Sequence, residues 1–220
     1  MQCLFVARLR HFTKICSVFF WGCQDHLASR IDISNHAGDP RYLLSRLEVV
    51  LPYSPVSLTL GDALADEILT RSPSLIDVDA RRIAAALFTT ANANHLDPLL
   101  VLALMHEESG FDFEALSPVG ASGLLQLMPA TSNYLSASRD LFDPYFVERD
   151  PVINVVFGID YLAELRTQFG SWDVALTAYN RGPNVVRHLL EQGPLERSLL
   201  NTFAVPVLRR FQRLKKTLRY

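Results

Sequence analysis

A chain of 220 residues with 49% hydrophobic and 20% charged residues is long enough to bury a core and too apolar to be disordered throughout. Its net charge of −2 conceals an uneven distribution: residues 1–150 carry 11 Lys/Arg against 18 Asp/Glu, and residues 151–220 carry 10 against 5. The three cysteines, Cys3, Cys16 and Cys23, all precede the main body of the chain, which excludes a disulfide framework, a Cys-ligated zinc site and a thiol nucleophile from that body.

At the N-terminus Arg8, Arg10 and Lys14 precede a short apolar run over 15–22, the pattern of an export signal and too short to span a bilayer. Gly22-Cys23 is a candidate lipoprotein cleavage point, with Cys23 as the acylated residue, although bulky Phe20 and Trp21 stand where small or branched side chains are expected. Residues 1–23 are therefore expected to be a leader, and the protein to be exported to the periplasm or cell envelope, with Cys23 as the lipid anchor if it is acylated. Residues 24–75 read as an N-terminal extension with short helices, one of them over 42–50, interrupted at Asp39-Pro40 and at Pro52 and Pro55.

Helix signals then become regular. Thr59 is placed to cap a helix whose Leu60, Leu64 and Ile68 fall four apart. Asp79 is expected to open a second, with Ile83, Ala86 and Leu87 on one face and Asn94 near its end. Asp97-Pro98 is a strong cap and first-turn pair for a helix through Glu108, apolar on all sides as far as Met105, hence the buried central helix. Pro129 begins a short helix. Asp150-Pro151 begins a longer one with Ile153, Phe157, Tyr161 and Leu165 on a stripe, which Gly170 ends. Ser171 is expected to cap a helix to about Tyr179, another spans 185–190, Gly193-Pro194 breaks the chain, and residues 196–220 form a basic helical tail packed on or beside the domain. Period-two alternation is lacking, so the fold class is mainly α, a compact packing of short helices with little or no β.

One stretch concentrates chemistry: His106-Glu107-Glu108-Ser109-Gly110 followed by a loop punctuated by Pro118, Gly120 and Gly123. Glu108 lies at the C-terminal end of a greasy helix. Desolvation, the negative end of the helix dipole and the neighbouring Glu107 all disfavour its ionised form, which suits a general acid. From these residues alone, a solvated helix cap competes with a catalytic pair. The glycines let backbone approach a ligand closely, and Gln126 offers both a donor and an acceptor to hydroxyls or acetamides.

The blocks Glu108-Ser109-Gly110-Phe111, Ser117 through Pro129, Asn154…Gly158…Tyr161-Leu162 and Ala178-Tyr179-Asn180-Arg181-Gly182-Pro183 occur in an order and spacing that resembles the lysozyme-like catalytic domain of the soluble lytic transglycosylases, over residues 76–195. The resemblance implies a lysozyme-like multi-helix domain with a groove for peptidoglycan glycan strands. It implies Glu108 as the catalytic residue, acid and then base, cleaving the bond between N-acetylmuramic acid and N-acetylglucosamine without water to give a 1,6-anhydro product. By matching position, Ser109, Ser117, Gln126, Met128, Tyr161, Tyr179 and Asn180 fall to the substrate site. For Tyr161, on an apolar stripe, core packing is an equal alternative. Ser109 can support the acid or cap the helix end, and the Tyr179 hydroxyl can touch the reacting sugar or Glu108; for Tyr179 taken alone, core packing is the reading its residue type favours, and only the motif reverses it.

Two departures stand out. Leu125 occupies a position where Met is frequent, a volume-conserving exchange. Segment 205–211 carries Arg209 and Arg210 where many members have a Glu-Thr pair. The basic tail reads either as a solvated helix face or as contact with an anionic surface. No cofactor is implied, and no metal, since the six histidines are scattered. Nucleic acid is excluded as a partner, because the basic residues concentrate at the terminus without a recognised module. The protein is expected to act as a monomer. A muramidase of the same fold that uses water, and a non-catalytic peptidoglycan-binding protein, remain the alternatives.

Overall fold

The computed structural model describes residues 55–72, 74–138 and 150–218. The leader, Cys23 and the expected helix over 42–50 lie outside them. The described helices belong to one unit, Ser54–Tyr220. In chain order they are α1 (Pro55–Arg71), α2 (Asp77–Ala93), α3 (Pro98–Ser109), α4 (Pro129–Ser138), α5 (Pro151–Phe169), α6 (Trp172–Arg181), α7 (Pro183–Gln192), α8 (Arg197–Thr202) and α9 (Ala204–Thr217). Among the described residues β structure is confined to two isolated antiparallel bridges, Leu116 to Ser122 and Ser122 to Leu127.

Capping chemistry decides most of the boundaries. The Asp97 carboxylate accepts from the Leu99 N–H at 2.9 Å, and that of Asp150 accepts from Val152 and Ile153; in both helices Pro occupies the first turn, where its missing N–H costs nothing. Gly110 at φ 61° and Gly170 at φ 75° close α3 and α5 in the left-handed conformation. Three expected caps are not used. The residue before α2 is Ile76, without a side-chain bond, and Asp77 and Asp79 sit inside the first turn, where they complement the helix dipole. Ser171 precedes α6 with no capping bond from its hydroxyl. The first helix begins at Pro55 rather than Thr59, since a proline is compatible with a first turn.

Helix α3 is the axis of the packing. Every residue from Pro98 to Met105 is buried, so the helix has no solvent face along two turns, as its uniformly apolar sequence requires. Helix α2 packs against α1, α3 and α5, α5 packs against α6, and α9 packs along α3 and α6. Tyr179, Phe203, Ala204 and Val207 join the same core as Leu99 and Met105. The consequence for function is positional: α3 runs through the protein and delivers its last turn, with Glu107 and Glu108, to the surface. Among the described residues no helix is long and apolar enough to cross a membrane.

Candidate active site

The reversal after α3 is tight. Gly110 at φ 61° is followed by Phe111 at φ 72°, a left-handed conformation that costs a non-glycine residue on the order of 1 kcal/mol or more. Burial of the Phe111 ring, 2% exposed, offsets it; the ring stands edge-on to His106 at 5.8 Å between centroids. The chain therefore turns away within two residues and leaves Glu108 at the mouth of the helix instead of along a shaft.

Glu108 is partly exposed, yet the protein around it strips enough water from the carboxyl to push its pKa up to about 8. Desolvation is the cause. The expected repulsion from Glu107 is not, because Glu107 turns toward α9, where Arg210 Nε donates to its Oε1 at 2.8 Å. Glu108 is therefore mostly protonated at neutral pH while still reachable from outside, the state a proton donor needs. Asp112 and Glu114, the next acids along the chain, are exposed beyond the helix stop.

The loop that follows is clamped at Ser122, Leu124 and Leu125 by three helices. From α3, the Ser109 hydroxyl donates to the Leu124 carbonyl at 2.9 Å, lies 3.2 Å from the Met105 carbonyl and accepts from the Phe111 N–H. From α5, the buried Asn154 accepts from the Leu125 N–H at 2.8 Å and donates to the Ser122 carbonyl at 3.0 Å. From α6, the Tyr179 hydroxyl donates to the Leu125 carbonyl at 2.8 Å. Leu125 is thus bonded through both its backbone groups, and its side chain lies on Gly158 of α5 so closely that a Cβ there would sit 2.4 Å from Leu125 Cδ1. Gly123, at φ 77°, is pressed onto Asn154 in the same way, with 2.6 Å between a Cβ and Asn154 Nδ2. Paired bonds between Ser122 and Leu127, both 3.0 Å, close the loop on itself.

This geometry revises several expected roles. Ser109 does not present its hydroxyl to a ligand: the group is engaged with backbone on both its donor and its acceptor side. Gln126, in the left-handed region at φ 44°, spends its amide N–H2 on the carbonyls of Ala115 and Gly123, so only its oxygen remains to meet a sugar. Tyr179 is 8% exposed and its single O–H is already given to Leu125. Burial and the nearby charge of Glu108, with a smaller contribution from Tyr161, raise its pKa; the phenol therefore stays neutral beside the acid. Ser117 accepts from the Ala121 N–H and keeps its own hydrogen.

Three expected residues remain on the surface side. Met128 is 40% exposed, Asn180 is exposed at the end of α6, and Tyr161 is half-buried with its ring 5.3 Å from that of Tyr179. Burial and Glu164 raise the Tyr161 pKa, against a hydrogen bond shared with Thr131 at the start of α4. Asn154 and Gly158 were not singled out for a role from sequence. The available signal was a polar and a small residue one turn apart in the otherwise apolar first half of α5, residues 151–159. Arg210 gave no such signal, because its partner lies 103 residues away.

The same stretch of chain matches known proteins. The model of the Transglycosylase SLT domain matches residues 86–195, half of the chain. The transglycosylase of Enterobacteria phage PRD1 is 37% identical over 90 residues, covering 41% of this chain and 31% of the phage protein. The soluble lytic murein transglycosylase of Salmonella typhimurium is 36% identical over 89 residues, covering 39% of this chain and 14% of that protein. Among solved structures, an inactive Glu-to-Gln mutant of the lytic transglycosylase Slt from Pseudomonas aeruginosa is similar with a TM-score of 0.53 at 28% identity, over 61% of this chain and 24% of that one. The 70 kDa soluble lytic transglycosylase of Escherichia coli has a TM-score of 0.56 at 22% identity over 74% of this chain and 30% of that one, a likeness of fold. The chain spans less than a third of the length of each of these proteins.

Proposed function

The chain belongs to the transglycosylase SLT domain family, and from that premise we propose that it is a lytic transglycosylase of the cell envelope that cleaves the bond between N-acetylmuramic acid and N-acetylglucosamine in peptidoglycan. The observation that carries this reading is Glu108: a carboxyl with a pKa near 8, at the exposed end of a buried helix, on the rim of a rigid glycine-containing loop.

In the proposed reaction the Glu108 carboxylic acid gives its proton to the glycosidic oxygen as the bond to the anomeric carbon breaks. The muramoyl acetamide stabilises the electron-poor carbon. The Glu108 carboxylate then takes the proton of the muramoyl 6-hydroxyl, whose oxygen closes on the anomeric carbon, giving a 1,6-anhydro end and restoring the acid. No water is consumed. A mechanism with one carboxyl departs from the usual pair of acids in glycosidases. It is supported by the engagement of Glu107 with Arg210 and by the exposure of Asp112 and Glu114. Met128, Asn180, the Ser117 hydroxyl, the Gln126 oxygen and the Tyr161 edge are the groups we assign to the sugar groove. Ser109, Asn154 and Tyr179 hold the loop that forms its floor. On the far side of α9, Arg209, Arg213 and Lys216 flank a shallow depression of about 430 Å³ with Val205 and Leu208, which supports an anionic surface as the neighbour of the tail.

The test is Glu108→Gln, expected to abolish solubilisation of purified sacculi while retaining sacculus binding in a pull-down. The inactivity of a Glu-to-Gln mutant of the Pseudomonas aeruginosa enzyme supports that expectation. Undiminished activity of the variant would remove Glu108 from the chemistry. Mass spectrometry of the wild-type products is expected to find anhydromuropeptides; reducing ends carrying the mass of water would make the protein a muramidase instead.

A further inference from the structure

Helix α9 lies beyond the stretch matched by the family model, which ends at residue 195, yet it packs along the helix that carries the acid. Its cations divide into two sets. Arg209, Arg213 and Lys216 face outward around the shallow depression. Arg210 and Lys215 face the domain: Lys215 Nζ lies 3.7 Å from Asp97 at the start of α3, and Arg210 pairs with Glu107 at its end. The helix is therefore held by one ion pair at each end of α3. The Glu107 pair is the tighter, 2.8 Å with both side chains 24% exposed, and it sits one residue from the acid.

We propose that Arg210 is a positioning residue for Glu108: its ion pair with Glu107 fixes the last turn of α3 against α9 and cancels the charge of the carboxylate adjacent to the acid. The inference rests on Glu108 being the proton donor. Glu107 is the only side chain of that turn that reaches α9 by an ion pair among the described residues, so its loss removes the polar tie between that turn and α9 and leaves apolar packing alone to place it. The charge effect follows from position: an unpaired Glu107 would place a full negative charge beside a carboxyl that must stay protonated, and an unpaired Arg210 would place a positive one there. The other groups facing this corner are His106 on α3, whose Nδ1 is 3.7 Å from Glu107 Oε1, and Glu67 and Arg71 on α1, which act on His106. Glu108 itself lies near Tyr179 on α6, with Tyr161 on α5 behind it.

A charge cycle tests this. Arg210→Met, Glu107→Gln, the double variant and Arg210→Lys are assayed on soluble glycan strands across the pH range, with thermal melts to establish folding. Arg210→Met is expected to lower kcat about tenfold with KM changed by less than about twofold, and to move the alkaline limb of the kcat profile up by about half a pH unit. Glu107→Gln is expected to move that limb down by a similar amount. The double variant is expected to return it to the wild-type position, and Arg210→Lys to keep it there while recovering most of kcat. A merely structural contact would not produce opposite shifts that cancel. Coincident profiles for all four variants overturn the proposal; should Arg210→Met fail to fold, the isosteric Glu107→Gln alone decides it by its shift. Glu108→Gln, run alongside, separates the two levels: if it is inactive and the limbs are unmoved, only the role of Arg210 falls, and if it is active, the assignment of the acid falls with it.

Discussion

A carboxyl that keeps its proton to about pH 8 strains the fold that surrounds it. In the unfolded chain Glu108 ionises near 4.5, and in the folded protein near 8, so the native state binds the proton more tightly. The stability this contributes is fully present below about pH 4.5 and is lost as pH rises through about 8. Glu108→Gln cannot ionise. It is expected to match the wild type in thermal melts near pH 4 and to be more stable by roughly 3 kcal/mol at about pH 7. A gap between the two proteins that does not widen with pH would mean that the Glu108 pKa is not raised in the folded protein. At this scale the sequence was informative about residue type and misleading about commitment. Ser109, Gln126 and Tyr179 are hydrogen-bonding groups in the right blocks, but which acceptor each one meets depends on neighbours 15, 11 and 54 residues away.

The loop between α3 and α4 owes its shape to the helices beneath it. Its backbone would be free to rearrange about Gly120 and Gly123, and Asn154, Gly158 and Tyr179 remove that freedom by holding Leu125 from two helices. Ordinarily Ala in place of Gly stabilises a helix by about 1 kcal/mol. Gly158→Ala is expected to reverse that sign, because the new Cβ would lie 2.4 Å from Leu125 Cδ1 and 2.7 Å from its Cβ, in a core with no room to yield. A loss of about 1–3 kcal/mol in denaturant unfolding is expected, with reduced sacculus solubilisation, since Leu125 is displaced along with the loop. A neutral or stabilising substitution would show that the helix and the loop are not in close register. Helix limits at this scale were readable where an Asp-Pro pair or a terminal glycine sat in place, since local capping needs no distant partner. They are misleading at Thr59 and Asp79, which lie inside their helices, and at Ser171, whose hydroxyl makes no capping bond.

Across the whole molecule the acid depends on chain that lies far from it in sequence. The C-terminal helix buries Ala204 and Val207 completely against the core that α3 traverses, so the tail is part of the domain's packing as well as a carrier of charge. Val207→Asp is expected to cost at least about 3 kcal/mol, because a carboxylate would be buried without a partner, and to lower the midpoint of a single cooperative melt. An unchanged midpoint would indicate that α9 does not contribute to the core. In the sequence the basic residues of this helix form one patch. The fold divides them by helix periodicity into an inward pair that binds Glu107 and Asp97 and an outward stripe that meets solvent.

Sequence by itself determined that this is a helical protein, that α3 is its buried axis and that a carboxyl stands at the end of that axis, because apolar periodicity, prolines, caps and terminal glycines act over one or two turns of chain. Its ordered blocks also identified the family. Only the tertiary structure decided which polar groups remain available to a ligand and which are consumed in holding the loop, and that Glu107 is neutralised by α9 rather than pressing on Glu108. Hydrogen bonds, desolvation and ion pairs depend on distances through space, and the chain settles those distances only when all of its helices are in place.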